Sequence, residues 1–344
     1  MNSDFEYEYM EGYTICIKYK GSSKDVIIPN RATGIYKDVF REKCIDSVIL
    51  PQRLKIICVN AFYKNNISEI IFPKRLHTIG GGSFANNQLV HVVIPSSVTK
   101  IHWYAFCDNK IKFVKLPKHI TCIEDYVFGH NQIESIQLPP NLKTIKKEAF
   151  CKNKLKHIKF PESLEAIGNR AFNNNELEHV KIPSKITVLD DGCFASNKIQ
   201  TIDLPSGLQK ICKFAFNNNK IQKLDLSKYD KLESIEYEAF AYNDITTLIL
   251  PPHIKHIGRS AFCRSKINHI EIPDTIETFG KYPFGFCENA QSIIIPDKYV
   301  TEEQIKNIFS ITLERFHDIN RRFVAMNHLE SFNKMILPDL FSGF

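Results

Sequence analysis

Apolar residues return on a fixed count along most of this chain. The stretch AFCKNKLKHIKFPESLEAIGNRAF, residues 149–172, opens and closes on Ala-Phe, 22 residues apart. The same phenylalanine recurs as Phe40, Phe62, Phe84, Phe106, Phe128, Phe150, Phe172, Phe194, Phe216, Phe240, Phe262 and Phe284. Ten of the eleven intervals are 22 residues. The exception, Phe216 to Phe240, is 24, and the segment LSKYDKL carries the two extra residues. Asparagine falls three residues after each phenylalanine from Asn65 to Asn243. Aliphatics follow at five, eight and usually ten, proline commonly comes next, and two more aliphatics precede the next Ala-Phe. One turn reads A-F-x-x-N-x-I-x-x-I-x-L-P-x-x-L-x-x-I-x-x-x.

Twenty-two residues are too few to bury an apolar face alone, so successive copies must stack into one core. The segment I-x-x-I-x-L acquires period-two character at its end, which predicts one short strand per turn of a parallel sheet. Proline then ends the strand without costing an internal ladder bond. The phenylalanine column is predicted to fill the axis, ring upon ring. A buried amide at one place in every turn is predicted to bond loop backbone groups that would otherwise lack partners. A ligand-binding role for these asparagines is disfavoured, because they keep step with the core.

The repeated frame resembles the leucine-rich repeats of the BspA-like family, whose turns carry L-x-x-I-x-L-P-x-x-L-x-x-I-x-x-x-A-F, over roughly Pro29 to Ile295. One departure stands out. The family often places cysteine three residues after the phenylalanine, where this chain has asparagine, with Ser265 the internal exception. The Asn-, Ile- and Lys-rich usage is similar to leucine-rich-repeat proteins of giant DNA viruses and some protists. The resemblance implies a right-handed leucine-rich-repeat β-solenoid with a parallel sheet and about twelve 22-residue turns, serving as an interaction scaffold.

The ends break the frame. Residues 1–28 hold two β-rich runs around Gly21-Ser22-Ser23 and read as an N-terminal β-hairpin cap on a solenoid spanning 29–295. Residues 296–344 read as a C-terminal helical cap. There Thr301 and Gln304 suggest a capping box for one helix carrying Ile305, Ile308, Phe309, Leu313, Phe316, Ile319 and Phe323. A further helical stretch is expected through Leu329 and Phe332 to Met335. Such caps cover the sheet edge and core that an open solenoid end exposes.

Composition narrows the function without naming it. No apolar run approaches the roughly 18–20 residues of a membrane helix, and the N-terminal residues are acidic where a signal peptide would be basic. The expectation is an intracellular protein with no membrane association, in the cytoplasm of its source or host cell, or in a virion if viral. Its ten cysteines are then thiols. A net charge of +7 is modest for 344 residues, and argues against a dedicated nucleic-acid binder.

No nucleotide-binding loop, zinc-protease helix or nucleophile elbow is present, so no catalytic residue and no cofactor are predicted. Gly80-Gly81-Gly82 reads as a tight bend. Cys107 and Cys151 share a column two turns apart, about 10 Å, which is beyond disulfide reach. They read as small apolar fillers, and no metal ligand is predicted. His157 and His179 should lie side by side on adjacent strands, but their outward neighbours Lys159 and Lys181 oppose a cation.

What remains is a face. Residues seven and nine after each phenylalanine should point outward from the sheet, and these columns vary where the core columns do not. Ile49, Ile71, Val93 and Phe113 would form an apolar patch, Lys115, His157, Lys159, His179 and Lys181 a basic band, and Asp203, Asp225 and Glu271 an acidic end. An apolar patch bordered by charge suits a protein or peptide partner, here one with an acidic segment. The candidate contact residues are Ile71, Val93, Phe113, Lys115, His157, Lys159, His179 and Lys181. The alternative is a structural or self-associating component, for example of a viral particle, with no dedicated ligand. The plainer reading of the face is that the N-terminal hairpin covers the residues near it and the charges are simply solvated. Oligomeric state is left open by the sequence.

Overall fold

The computed structural model describes residues 4–322. It divides into two compact units, Met1–Gly207 and Leu208–Phe344, and both repeat the same three-sided turn.

The first side carries the predicted strands. In the first unit Asp25–Ile27 pairs in parallel with Ser47–Ile49, His91–Val93 with Phe113–Lys115, and His179–Lys181 with Thr201–Asp203. In the second, Lys223–Asp225 pairs with Thr247–Ile249, and His269–Glu271 with Ser292–Ile294. Each central residue points inward and, Ser292 excepted, its two neighbours outward, as a pleated strand requires.

The second side was not predicted. Two-residue strands at the last aliphatic of the frame form further parallel ladders, such as Gly34–Ile35, Ile56–Ile57, Thr78–Ile79 and Lys100–Ile101. Cys122–Ile123, Thr144–Ile145 and Ala166–Ile167 do the same, as do Ser234–Ile235, His256–Ile257 and Thr278–Phe279 in the second unit. Among the described residues this side has thirteen rungs, nine in the first unit and four in the second, where the phenylalanine column predicts twelve turns. The additional turn begins within Tyr13–Tyr19, which pairs in parallel with Gly34–Ile35. Tyr19 stands there in place of phenylalanine, its ring 5.2 Å from that of Phe40.

The third side, around Ala-Phe, has no strands but keeps a ladder. Phe40 N donates to Ala61 O at 2.9 Å, Phe62 N to Ser83 O at 2.8 Å, and Phe150 N to Ala171 O at 2.9 Å. To present these groups the backbone turns left-handed two residues before and two after every phenylalanine of the column, from Asp38 and Glu42 to Tyr282 and Phe286. Only Gly82 and Gly192 among these positions are glycine. Each of the others bears a steric cost of about 1–2 kcal/mol, which the ladder bonds offset.

Inside, the phenylalanines are fully buried and stack nearly parallel. Neighbouring rings lie 5.0 Å apart at Phe40–Phe62, 5.7 Å at Phe172–Phe194, and 5.4 Å at Phe262–Phe284. The asparagines bond backbone as predicted. Asn153 Oδ1 accepts from Ile133 N of the preceding turn at 2.9 Å. Its Nδ2 donates to Phe128 O of that turn at 2.8 Å and to Phe150 O of its own at 3.1 Å. Asn65 and Asn243 repeat the pattern.

Both ends of this stack are closed by other means. Phe5–Met10 and Tyr13–Tyr19 form an antiparallel hairpin that turns at Glu11-Gly12, not at Gly21-Ser22-Ser23. Glu11 and Gly12 supply the two positive φ angles, 45° and 83°, that a tight two-residue hairpin needs. The chain after Gly21 instead runs into Asp25–Ile27, the first strand of the first side. At the other end the predicted single helix is broken. Glu302–Phe309 starts with Thr301 Oγ1 accepting from Gln304 N at 3.3 Å, and ends where Ser310 turns left-handed at φ 61°. Helical residues 313–322 begin afresh, with Thr312 Oγ1 accepting from Arg315 N at 3.2 Å. Phe309 stacks on Phe284 at 5.7 Å, so the first helix continues the ring column. Asn320 brackets Ile293, accepting from its N–H at 3.0 Å and donating to its carbonyl at 2.9 Å. Phe323, Leu329, Phe332 and Met335 lie outside the described residues.

The asparagine column predicts how stability responds to substitution. Asn153→Ala should destabilise the fold by about 1–3 kcal/mol by orphaning buried backbone groups, read by thermal or urea denaturation. Ser265 offers the reverse test. Its buried hydroxyl lacks a partner, and it cannot give Ile245 N the acceptor that Asn243 gives Ile221 N. Ser265→Asn should restore that bond and raise stability by about 1 kcal/mol; a lower melting temperature would show that the turn has closed around serine.

Candidate protein-binding face

The outward residues of the first side are set by pleat and register. In the first unit Ile71, Val93, Phe113, Lys115, His157, Lys159, His179 and Lys181 are all exposed. Ile27 pairs with Ile49 and Val93 with Lys115, so one aliphatic column runs through Ile27, Ile49, Ile71 and Val93. Their exposures are 65%, 59%, 87% and 52%. The hairpin leaves them uncovered. Ile27 extends the patch by one turn and escapes the sequence reading because no phenylalanine precedes it to set the count.

The ladder on this side is interrupted. Among the described residues no backbone hydrogen bond joins 69–72 to 47–50 or to 91–94. That turn carries Phe72 in a column otherwise mostly Ile or Leu, and its ring wedges edge-on against Phe84 and Phe106 at 5.4 and 6.1 Å. Beside it lies a depression of about 300 Å³ lined by Ile71, Phe72, His91, Val93 and Pro95. Phe160 repeats the arrangement against Phe172 and Phe194 at 5.4 and 6.2 Å, next to a depression of about 440 Å³ lined by Lys159, Phe160, Lys181 and Ile182.

The charges differ in their freedom. Lys115, Lys159 and Lys181 form no ion pair among the described residues. His179 is already engaged, with Nδ1 2.8 Å from Thr201 Oγ1 and Nε2 3.7 Å from Asp203 Oδ2. It therefore joins the basic band to the acidic residue next along the face. The face holds shape and charge, and the Thr201–His179–Asp203 contacts tie its basic and acidic parts together.

Titratable chemistry lies instead on the Ala-Phe side. Burial, with Glu148 beside it, pushes the Cys151 thiol up to about 12, and burial with the adjoining Asp108 raises Cys107 as well. Neither is a ready nucleophile at neutral pH. Both nevertheless stand among possible metal ligands, in the groups Cys107–Asp108–His130 and His130–Glu148–Cys151. The sequence reading of these cysteines as fillers misses that association. No described helix is long and apolar enough to cross a membrane.

Comparison with known proteins agrees with this geometry. The model of the BspA type leucine-rich repeat region, six copies, matches residues 14–133, 121–243 and 225–320. A leucine-rich repeat protein from Bacteroides ovatus superposes with a TM-score of 0.63 at 20% identity, over 90% of this chain and 97% of that one. The pneumococcal vaccine antigen PcpA superposes with a TM-score of 0.54 at 20% identity, over 85% and 80% of the two chains. A leucine-rich cell surface protein from Faecalibacterium prausnitzii gives 0.50 at 17% identity, over 91% and 97%. No curated protein matches by sequence. These structural likenesses speak to the fold, and the repeat model covers most of the chain: it belongs to the BspA type leucine-rich repeat family.

Proposed function

We propose that this protein is a non-catalytic scaffold that binds a protein or peptide segment on the outward side of its first-unit sheet. The observation that carries the reading is the exposed aliphatic column of Ile27, Ile49, Ile71 and Val93 around the rung at 69–72. That column meets a depression beside Phe72. A segment laid across the face would seat an aliphatic side chain against Ile71 and Val93 in the depression beside Phe72. Lys115, Lys159 and Lys181, unpaired within the described residues, favour acidic residues in the same segment. His157 and His179 line that basic band, with His179 contributing through its contact to Asp203. The proposed setting is intracellular, where the cysteines stay reduced; the proposed kinship with giant-virus or protist proteins adds nothing to the choice of partner.

Display selection from a random peptide library tests this. The wild type should enrich peptides combining aliphatic and acidic residues, and an Ile71→Glu/Val93→Glu/Lys159→Glu variant with an unchanged circular dichroism spectrum should lose them at least about tenfold in affinity, some 1.4 kcal/mol. Equal binding by both proteins would remove this face. Concentration-dependent sedimentation of the wild type that the same variant abolishes would replace the scaffold with a self-associating component.

A further inference from the structure

Three consecutive turns bring unlike metal-binding side chains together on the Ala-Phe side. Cys107 and Asp108 follow Phe106, Gly129 and His130 follow Phe128, and Glu148 and Cys151 flank Phe150. Cys107 Sγ lies 3.0 Å from Asp108 Oδ2, and His130 Nδ1 lies 2.9 Å from Asp108 Oδ1. In the next turn Cys151 Sγ lies 3.5 Å from Glu148 Oε2. The candidate ligand atoms of Cys107, Asp108 and His130 all fall within 4.8 Å of one another, and so do those of His130, Glu148 and Cys151. His130 is common to both sets.

Gly129 keeps the middle of the cluster open. It occupies the column position that holds cysteine in the turns before and after it. A Cβ there would come within 3.1 Å of Glu148 O and 3.5 Å of Cys151 Sγ. Both cysteines are buried, His130 and Glu148 are half-buried and Asp108 is exposed, so the cluster has an apolar floor and a solvent-facing mouth.

We propose that Cys107, Asp108 and His130 form a zinc(II) site whose fourth position opens to solvent water at the mouth of the cluster. Thiolate, imidazole and carboxylate together suit a borderline-soft dication. One thiolate and one carboxylate neutralise its charge, with the imidazole neutral. Zinc bond lengths of about 2.0–2.3 Å place tetrahedral ligands roughly 3.5 Å apart, a spacing that ligand atoms already within 4.8 Å of one another reach by side-chain rotation alone. On binding, the Cys107 thiol gives up its proton to solvent and the sulfur lone pair takes the metal. The ion would staple adjacent turns together on the side where the backbone repeatedly turns left-handed.

Cobalt(II) titration of the full-length, reduced, chelator-treated protein tests the site. One equivalent should bind with a thiolate-to-cobalt charge-transfer band that zinc displaces. Cys107→Ser should abolish the band, and His130→Gln should weaken zinc in competition with a chromophoric chelator by more than about 100-fold, beyond what loss of a supporting residue costs. Cys58→Ser should change neither. Zinc should raise the melting temperature of the wild type and leave that of His130→Gln unmoved. Because His130 is only half-buried, that variant keeps the test valid even if Cys107→Ser fails to fold. Absence of the band, or a band and zinc affinity that survive His130→Gln, would overturn the proposal.

Discussion

A chain that coils every 22 residues must give each buried backbone N–H and C=O a partner in the neighbouring turn. The rest of this structure follows from how that requirement is met. Two sides of each turn meet it with parallel rungs, and the third with the Phe N–H to Ala-type carbonyl ladder. At the corner after the phenylalanines from Phe62 to Phe240 no backbone group is in position, and the asparagine amide fills in, as Asn153 does with an acceptor for one N–H and donors for two carbonyls. Stacking the rings then adds apolar burial to a geometry the hydrogen bonds already specify. The same requirement explains the caps. At the last turns, helix carbonyls of Asn307 and Ile308 accept from Tyr282 N and Phe284 N, while Asn320 serves the backbone of Ile293 as a ladder asparagine would.

Much of this was legible because the repeat is strict. A residue that recurs on one count must occupy one environment, so the phenylalanines had to be axial and the asparagines had to serve backbone. What escaped is what the count does not mark. A two-residue strand such as Thr144–Ile145 has no alternation to detect. The left-handed positions carry Lys152, Asn174 or Tyr104 far more often than glycine, because the cost is met by the ladder and not by residue choice. The first turn was missed because tyrosine replaces phenylalanine at Tyr19, and the break at Ser310 because its helix periodicity runs on unbroken through both segments.

The candidate face was readable in part for the same reason. Pleat and period placed all eight contact residues outward, yet neither says which rungs pair, so the opening at 69–72 is visible only in three dimensions. The Cys107–His130–Cys151 cluster was hidden differently. Its members come from positions one and two after and two before the phenylalanine, in three successive turns, and no single column contains them. A search for closely spaced cysteine pairs or for stacked histidines cannot find a set whose shared member, His130, lies between two cysteine-bearing turns.

The sides of the turn are therefore not equivalent in what they are free to do. On the second and third sides the backbone ladders are continuous through the turns around Phe62 and Phe84, and side chains there adjust to them. On the first side the ladder is interrupted at the rungs of Phe72 and Phe160, and also at 135–138, where Leu138 keeps the aliphatic. An unpaired, desolvated backbone group costs about 1–3 kcal/mol, and the larger ring returns part of that through added burial against its two axial neighbours. A solenoid whose other sides hold it together tolerates such a rung, and the tolerance leaves a depression open to a partner beside Ile71, the most exposed aliphatic of the column.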